Sequence, residues 1–438
     1  MLQRKITKVL QAWKQETHKP CLLIRGARQV GKTFIVDEFA RANYPHYIYI
    51  NFELSPEHKE IFRQGNLDFD TIRIQLESFF PDVKIVRGQT LLFLDEIQAC
   101  PQARTALKSL ALDGTLDVIA SGSLLGLYYK DVSSYPVGYE RALDMYPLDF
   151  EEYLWAIGVS TQVINNLHRH FILGQALPTA LIKKMSEYFR DYILVGGMPA
   201  AVNEFIRQKS FVSVRTIQTQ ILEAYKTDVV KYASTPDKGK IIKTFASIPA
   251  QLARKNKKFL FSQIDAQDDH ASERKYISAL LWLQDAGIIN YCYNLSEPAL
   301  PLAVNKRLEA YKIYLRDTGL LLAMLDRDIS QSILHYNWTV NEGMILEIIF
   351  AQEIISRYGE LTYFERKSRL EIDFIMNING IVTAIEVKSG HNRQAKSLQS
   401  IKDNYPSVRR WIKFEPDINL TRDEKDIEHY PLFMAMFL

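Results

Sequence analysis

The eight residues Gly26-Ala27-Arg28-Gln29-Val30-Gly31-Lys32-Thr33 follow the pattern G-x4-G-K-[ST]. Backbone N–H groups of a tight loop can wrap a phosphate only where side chains stay clear, which calls for Gly26 and Gly31. Lys32 supplies a mobile charge for β- and γ-phosphates, and Thr33 offers a hydroxyl to Mg²⁺. Gln29 and Val30 in the loop and Phe34 just beyond it complete the expected nucleotide contacts. A second element, LLFLDE, ends an apolar run in Asp95 and Glu96. Asp95 suits a water-mediated hold on Mg²⁺, and Glu96 suits orientation and deprotonation of an attacking water. VIASGS ends a third run, placing Ser121 or Ser123 beside a γ-phosphate if that strand neighbours LLFLDE; Ser123 is the catalytic candidate. The plainer alternatives are a glycine-rich turn with a surface lysine, a strand ending in solvated acids, and a Ser-Gly turn without a role. Arg28 and Arg141 are weak candidates for stabilising transition-state charge, and no arginine finger is assigned.

These residues need particular elements behind them. CLLIRG (21–26) reads as a short apolar strand and KTFIVDEFARANY (32–44) as a helix. HYIYINFE (46–53) alternates like a strand, while TLLFLDE (90–96) and LDVIASGS (116–123) read as strands buried on both faces. Strands alternating with helices predict a parallel α/β sheet over roughly residues 1–135. The pattern is helical from 147 to 235. Residues 238–300 read as helix, turn, helix, turn, helix and then the strand INYCYNL, the order of a winged helix-turn-helix. A helix over 342–358 is followed by the strand-like runs LTYFER, LEIDFIM and IVTAIEVKS, then a helix near 394–404 and the strand RRWIKF.

The chain has 438 residues, 47% apolar and 24% charged, which predicts two or three globular domains. No run of about 18 apolar residues is present, so no membrane partner is expected, and the N-terminus lacks a secretory pattern. Cys21, Cys100 and Cys292 are far apart and in no metal-ligand spacing, which points to a reducing compartment and a cytoplasmic location. A net charge of +3 does not argue for nucleic acid by itself.

GARQVGKT, LLFLDE, ASGSLLG, MYPLDFEEYL, GGMPAAV and EIDFI…IEVKSG occur in this order. Together they resemble the prokaryotic AAA-type ATPases that carry a C-terminal domain of unknown function with a restriction-endonuclease-like fold, relatives grouped with the STAND signalling ATPases. The resemblance spans nearly the whole chain. It implies ATP and Mg²⁺ as cofactors, and a G-x-P turn, Gly197-Met198-Pro199, that sets Pro199 near the adenine. Many relatives have Gly-Arg before the PLDF-like segment, where this chain has Gly138-Tyr139, with Arg141 displaced.

At the C-terminus, Glu347, Asp373, Glu386 and Lys388 resemble the PD-(D/E)xK nuclease pattern. Asp373 and Glu386 fall on successive strands that a hairpin could bring together as Mg²⁺ ligands; Glu347 could add a ligand, and Lys388 shares a sheet face with Glu386. A satisfied ion-pair cluster, or a nuclease-like fold kept as a docking surface, remains open. In the winged segment Arg254, Lys255, Lys257 and Lys258 precede one helix, and Arg274 and Lys275 open the next; structural lid and DNA contact both remain open. The expected architecture is a P-loop AAA-type core (1–146), a helical lid (147–235), a winged helix (236–304) and a restriction-endonuclease-like domain (305–438). The expected activity is Mg²⁺-dependent ATP hydrolysis driving a switch coupled to the nuclease-like domain and acting on DNA. The alternative is a nucleotide-gated scaffold that binds a protein partner.

Overall fold

Thr90–Asp95 holds no exposed residue, and such a run is stable only when both faces of its strand are covered. In the computed structural model it lies inside a five-stranded, wholly parallel sheet. The structure describes residues 2–63, 67–123, 138–254, 257–334, 342–366, 370–389 and 396–438. They form two compact units, one of residues 3–146 with 285–287, the other essentially of 147–284 and 288–438.

In the first unit, α1 (Ile6–Lys14) precedes β1 (Cys21–Gly26), α2 (Lys32–Asn43), β2 (His46–Asn51), α3 (Phe69–Phe79), β3 (Thr90–Asp95), α4 (Pro101–Asp113), β4 (Asp117–Ser123) and β5 (Glu140–Met145). The spatial order is β2-β3-β4-β1-β5, so β4 lies between the strand that leads into the P-loop and the strand that ends in Asp95. One core face packs Leu23, Ile48, Ile50, Leu92, Leu94, Val118 and Ala120 against Ile72 and Leu76 of α3 and Leu107 and Leu110 of α4. The fifth strand escapes the sequence reading because ERALDM is polar. It is an edge strand, paired only with β1 and largely solvated.

The second unit opens with five helices, α5 (Phe150–Ala156), α6 (Thr161–Leu173), α7 (Thr179–Val195), α8 (Pro199–Gln208) and α9 (Phe211–Tyr232). Asp149 starts α5 with a capping box, its carboxylate accepting from the Glu152 N–H. Next come α10 (Thr235–Leu252), α11 (Glu273–Asp285), β6 (Ile289–Leu295), β7 (Lys306–Leu315), α12 (Thr318–Met324), α13 (Arg327–Leu334) and α14 (Glu342–Tyr358). Of the three helices expected over 238–300, the middle one is only a 3-10 turn, Phe261–Gln263. Downstream of it, Asp265 and Asp268 accept the N–H groups of Gln267 and His270, which diverts the backbone from helical bonding. The remaining elements are β8 (Leu361–Arg366), β9 (Leu370–Ile372), β10 (Phe374–Ile378), β11 (Ile381–Val387), α15 (Lys396–Asn404), β12 (Arg410–Glu415), β13 (Thr421–Arg422) and β14 (Glu428–Pro431). They build two sheets, β7-β6-β8-β9 and β10-β11-β12-β14-β13. The first runs across residue 305, because β6 pairs antiparallel with β7 and parallel with β8. Cys21, Cys100 and Cys292 are free and buried.

Candidate active site

β1 ends at Gly26, and the chain turns through residues 27–31 into α2. Gly31 has φ +95°, a conformation that suits glycine, and it starts α2 without any side-chain cap. The first N–H groups of a helix have no intrahelical acceptor, so the mouth of this loop presents uncapped donors and the positive end of the helix dipole. Gly26 also bears on strand packing. A Cβ there would sit 2.3 Å from the carbonyl oxygen of Met145, its partner residue on β5. Its small size therefore permits strand packing. Phe34, on the first turn of α2, is exposed.

Lys32 is buried, and its ammonium donates to the carbonyls of Gly26 (3.0 Å) and Ala27 (2.9 Å). Burial brings its pKa down to about 8, against the opposing pull of Glu96 and Asp95. Asp95, at the carboxyl end of β3, is an acceptor hub. Its Oδ2 accepts from Thr33 Oγ1 (3.0 Å), Tyr49 OH (3.0 Å) and Asn51 Nδ2 (3.1 Å). Its Oδ1 accepts from the Glu96 N–H (3.1 Å) and the Ser121 hydroxyl. Strand order explains the set, since β2 and β4 both flank β3 and carry Tyr49, Asn51 and Ser121 to its end. Ser121 thus reaches the acidic pair. Ser123 ends β4 in register with Gly26, and its side chain lies outside the described residues. Glu96 adopts φ +52°, and its carboxylate accepts from Gln98. Burial, then the Asp95 charge, pushes its pKa up, as a proton acceptor needs.

Three supports were not foreseen. Tyr49 and Asn51 face the sheet's open end on a strand read only for its alternation. Arg4, near the start of the chain, is buried and donates to the carbonyls of Val30 (3.0 Å) and Tyr146 (2.7 Å), clamping the P-loop to the end of β5. An arginine ahead of a helix carries no sequence signal for this contact. Arg28 is 3.7 Å from Glu53. Arg141 pairs with Glu16 (2.6 Å) and is in register with Leu22, at the opposite end of the sheet from the P-loop. It lines a groove of about 920 Å³ there with Glu16, Lys19, Arg87, Asp117 and Tyr139.

The Gly197-Met198-Pro199 turn belongs to the second unit. Pro199 is the first residue of α8, and the Gly197 N–H donates to Asp317 Oδ2 (2.6 Å). Asp317 also caps α12 through the Leu320 N–H (2.8 Å), and burial raises its pKa to about 6.

In the C-terminal constellation, Phe374 pairs with Ile385, so Asp373 and Glu386 stand opposite each other across the β10–β11 hairpin. Lys388 Nζ lies 3.7 Å from Asp373 and 3.6 Å from Glu386. Asp373 also accepts the Val387 N–H (2.9 Å). Glu386 is 1% exposed, and its carboxylate faces the Lys388 ammonium. Burial lifts its pKa to about 7, opposed by Lys388. Glu347, on α14, is engaged by cations: it accepts from Lys257 and from Tyr314 OH (3.0 Å), and the fully buried Lys312 is 3.6 Å away. Burial opposes its ionisation, yet the Lys257 and Lys312 charges prevail and hold its pKa well below the usual carboxylate range. Among the described residues no three His, Cys, Asp or Glu side chains converge enough to hold a metal ion.

Most of the basic cluster expected on the winged segment is also engaged. Lys257 meets Glu347, Lys258 meets Glu365 (2.8 Å), Lys275 meets Asp268 (2.6 Å), and Arg254 donates to Gln263. Lys255 lies outside the described residues. No described helix is long and apolar enough to cross a membrane.

Family comparisons divide the chain in three. Residues 18–154 match an AAA domain, 186–331 match DUF8612 and 342–431 match DUF4143, the last two being domains of unknown function. Nothing among curated proteins matches the chain. Similar solved structures include the Walker-type ATPase PABY2304 of Pyrococcus abyssi, at 14% identity over 74% of this chain and 96% of that one, with a TM-score of 0.45. The Orc1 protein of Aeropyrum pernix, solved in complex with DNA, is 13% identical over 76% of this chain and 91% of its own, with a TM-score of 0.31. Cdc6p of Pyrobaculum aerophilum is 12% identical over 77% and 96%, with a TM-score of 0.28. With its glycine-started helix, Lys32 and the Asp95–Glu96 pair, the segment 18–154 is an AAA-type P-loop ATPase domain.

Proposed function

We propose that the protein binds ATP with Mg²⁺ at residues 26–34 and hydrolyses it to drive a conformational switch. The observation that carries this reading is the uncapped start of α2 beside a buried ammonium and a hydroxyl–carboxylate pair, Thr33 and Asp95, 3.0 Å apart. A hydroxyl and a carboxylate are the hard oxygen donors Mg²⁺ requires, so the residues fit the ion. When bound, Mg²⁺ would neutralise phosphate charge, held through Thr33 and, by water, through Asp95. Lys32 donates to the loop carbonyls of Gly26 and Ala27, which holds its ammonium at the loop, where it would serve the β- and γ-phosphates. Glu96 takes a proton from the attacking water, the γ-phosphorus bond to the bridging oxygen breaks, and ADP and phosphate leave. Ser121 orients the Asp95 carboxylate, and Pro199 is assigned to the adenine by resemblance alone.

The test pairs two variants. Glu96→Gln should keep ATP binding while turnover falls about a hundredfold, the lower range for a general base. Lys32→Ala should weaken ATP binding at least tenfold in a fluorescent-nucleotide titration. Parent-like turnover in the first, or parent-like affinity in the second, would sink the assignment.

The switch is further proposed to act on a nuclease-like C-terminal domain with DNA as its substrate, Asp373, Glu386, Glu347 and Lys388 forming its metal centre. The second reading, a nucleotide-gated scaffold whose nuclease-like domain binds a protein partner and cuts nothing, draws support from the lysines that already compensate those carboxylates. Cleavage of DNA by purified protein with Mn²⁺, lost in Lys388→Ala but with ATP turnover retained, separates the two.

A further inference from the structure

The two acids at the end of β3 are held very differently. Asp95 accepts five hydrogen bonds, from Thr33, Tyr49, Asn51, Ser121 and the Glu96 N–H. Among the described residues the Glu96 carboxylate accepts one, at Oε2, from the side-chain amide of Gln98. An ionised carboxylate only accepts, so the amide presents its NH2 group there. A group that takes a proton from water must keep one oxygen open and still be aimed, and a long, flexible glutamate side chain loses aim easily.

Gln98 stands on a rigid base. Glu96 sits at φ +52° and ψ +44°, a left-handed conformation that a glutamate adopts only under constraint. The chain therefore leaves β3 abruptly at the acid. Ile97–Ala99 then makes a single 3-10 turn, closed by the Ala99 N–H on the Glu96 carbonyl (2.9 Å) and the Cys100 N–H on the Ile97 carbonyl (2.9 Å). Ile97 and Cys100 are buried in the same core as Leu92 and Leu94 of β3, and Pro101 begins α4. Both ends of the turn are thus pinned. Gln98 between them is 5% exposed. Burying an amide is costly unless it is bonded, and an apolar side chain would fill the same space without that cost if the turn were only a connector.

We propose that Gln98 is a positioning residue for hydrolysis: its amide, fixed by the turn, holds Glu96 Oε2 and leaves Oε1 to take the proton of the attacking water. The inference rests on the reading of Glu96 as the group that accepts that proton. Gln98 acts through Glu96 alone, so its loss bears on the chemical step and not on nucleotide binding.

Gln98→Met keeps the length of the side chain and drops the donor. It should lower kcat for ATP about tenfold with KM within about twofold of the parent, the loss expected for one hydrogen bond to a charged group. In a Glu96→Gln background the same change should do nothing more, because the carboxylate it acts through is gone; single-turnover rates of the parent, both single variants and the double variant close the cycle. Circular dichroism and a melting curve check that each variant is folded, and Gln98→Leu replaces Gln98→Met if the latter is not. A second readout uses nucleotide-free protein labelled with ¹⁵N in its glutamine side chains. The amide signal that the Gln98 variant removes should exchange with water severalfold faster in Glu96→Ala; exchange that ignores Glu96 overturns the contact. If Glu96→Gln turns over like the parent, the reading of Glu96 fails and this inference with it. If Glu96→Gln is slow but Gln98→Met keeps the parental kcat, slows both backgrounds equally, or raises KM alone, Glu96 stands as the proton acceptor and Gln98 does not position it.

Discussion

Replacing Gly26 by alanine separates two explanations for the first glycine of the P-loop. In the sequence it reads as clearance for a phosphate; in the structure the added methyl would meet the Met145 carbonyl oxygen at 2.3 Å and Val30 Cγ2 at 3.3 Å. An ordinary contact needs at least about 1.1 Å more room on the Met145 side. The obstacle is backbone, locked in register between β1 and β5. Arg4 ties the neighbouring Tyr146 and Val30 carbonyls together, so neither wall yields cheaply. Overpacking against rigid atoms costs about 3 kcal/mol, the upper end of the usual range. Hydrogen exchange on nucleotide-free protein reads this locally. Peptides spanning 21–26 and 140–145 should open roughly a hundredfold more often in Gly26→Ala. If they keep parental protection while ATP affinity alone collapses, the glycine is there for the phosphate, and the packing argument is wrong.

Arg4→Met should weaken ATP binding by roughly tenfold without touching any nucleotide contact, because it frees the Val30 carbonyl. Since two charge-assisted hydrogen bonds are lost, a titration matching the parent would refute the clamp. Asn51→Ala removes one of five donors to Asp95 and should lower turnover more than it lowers nucleotide affinity, read as kcat against KM; an unchanged kcat would argue against the hub. Asp317 gives a pH signature. Its carboxyl titrates near 6 when folded and 3.8 when unfolded, so the folded form holds its proton more tightly, and the group's contribution to stability falls as pH rises through that window. The stability of the parent relative to Asp317→Asn should therefore drop by about 2 kcal/mol between pH 4.5 and 7.5 in urea unfolding; a pH-independent difference would overturn it.

The ATPase core was legible because its chemistry needs contiguous residues. The 26–33 segment and Asp95–Glu96 are each contiguous, and the strands that lead into them each hold four successive apolar residues, 21–24 and 91–94. The polar edge strand β5 was not legible, since an edge strand need not be apolar. Nor were Arg4, Tyr49 and Asn51, whose roles depend on which strands become neighbours, a property of the whole sheet. The C-terminal hairpin was legible as two successive strand-like runs, and Asp373 and Glu386 do meet across it. What occupies the space between the acids was not, because Lys257 and Lys312 arrive from segments 90 and 35 residues from Glu347. The short stretch over Phe261–Gln263 misled because its apolar spacing suits a helix, while the nearby aspartates capture backbone donors instead.

The three buried thiols make the chain its own clock for breathing. Burial raises the pKa of Cys21, Cys100 and Cys292 above the free value, so almost no thiolate exists until water enters. Alkylation then proceeds only as fast as each neighbourhood opens. Cys21 reports on the first strand and Cys100 on the turn that follows Glu96, while Cys292 reports independently on the other unit. Comparing their rates with and without nucleotide would time each unit's response in the unmodified protein, with no label introduced.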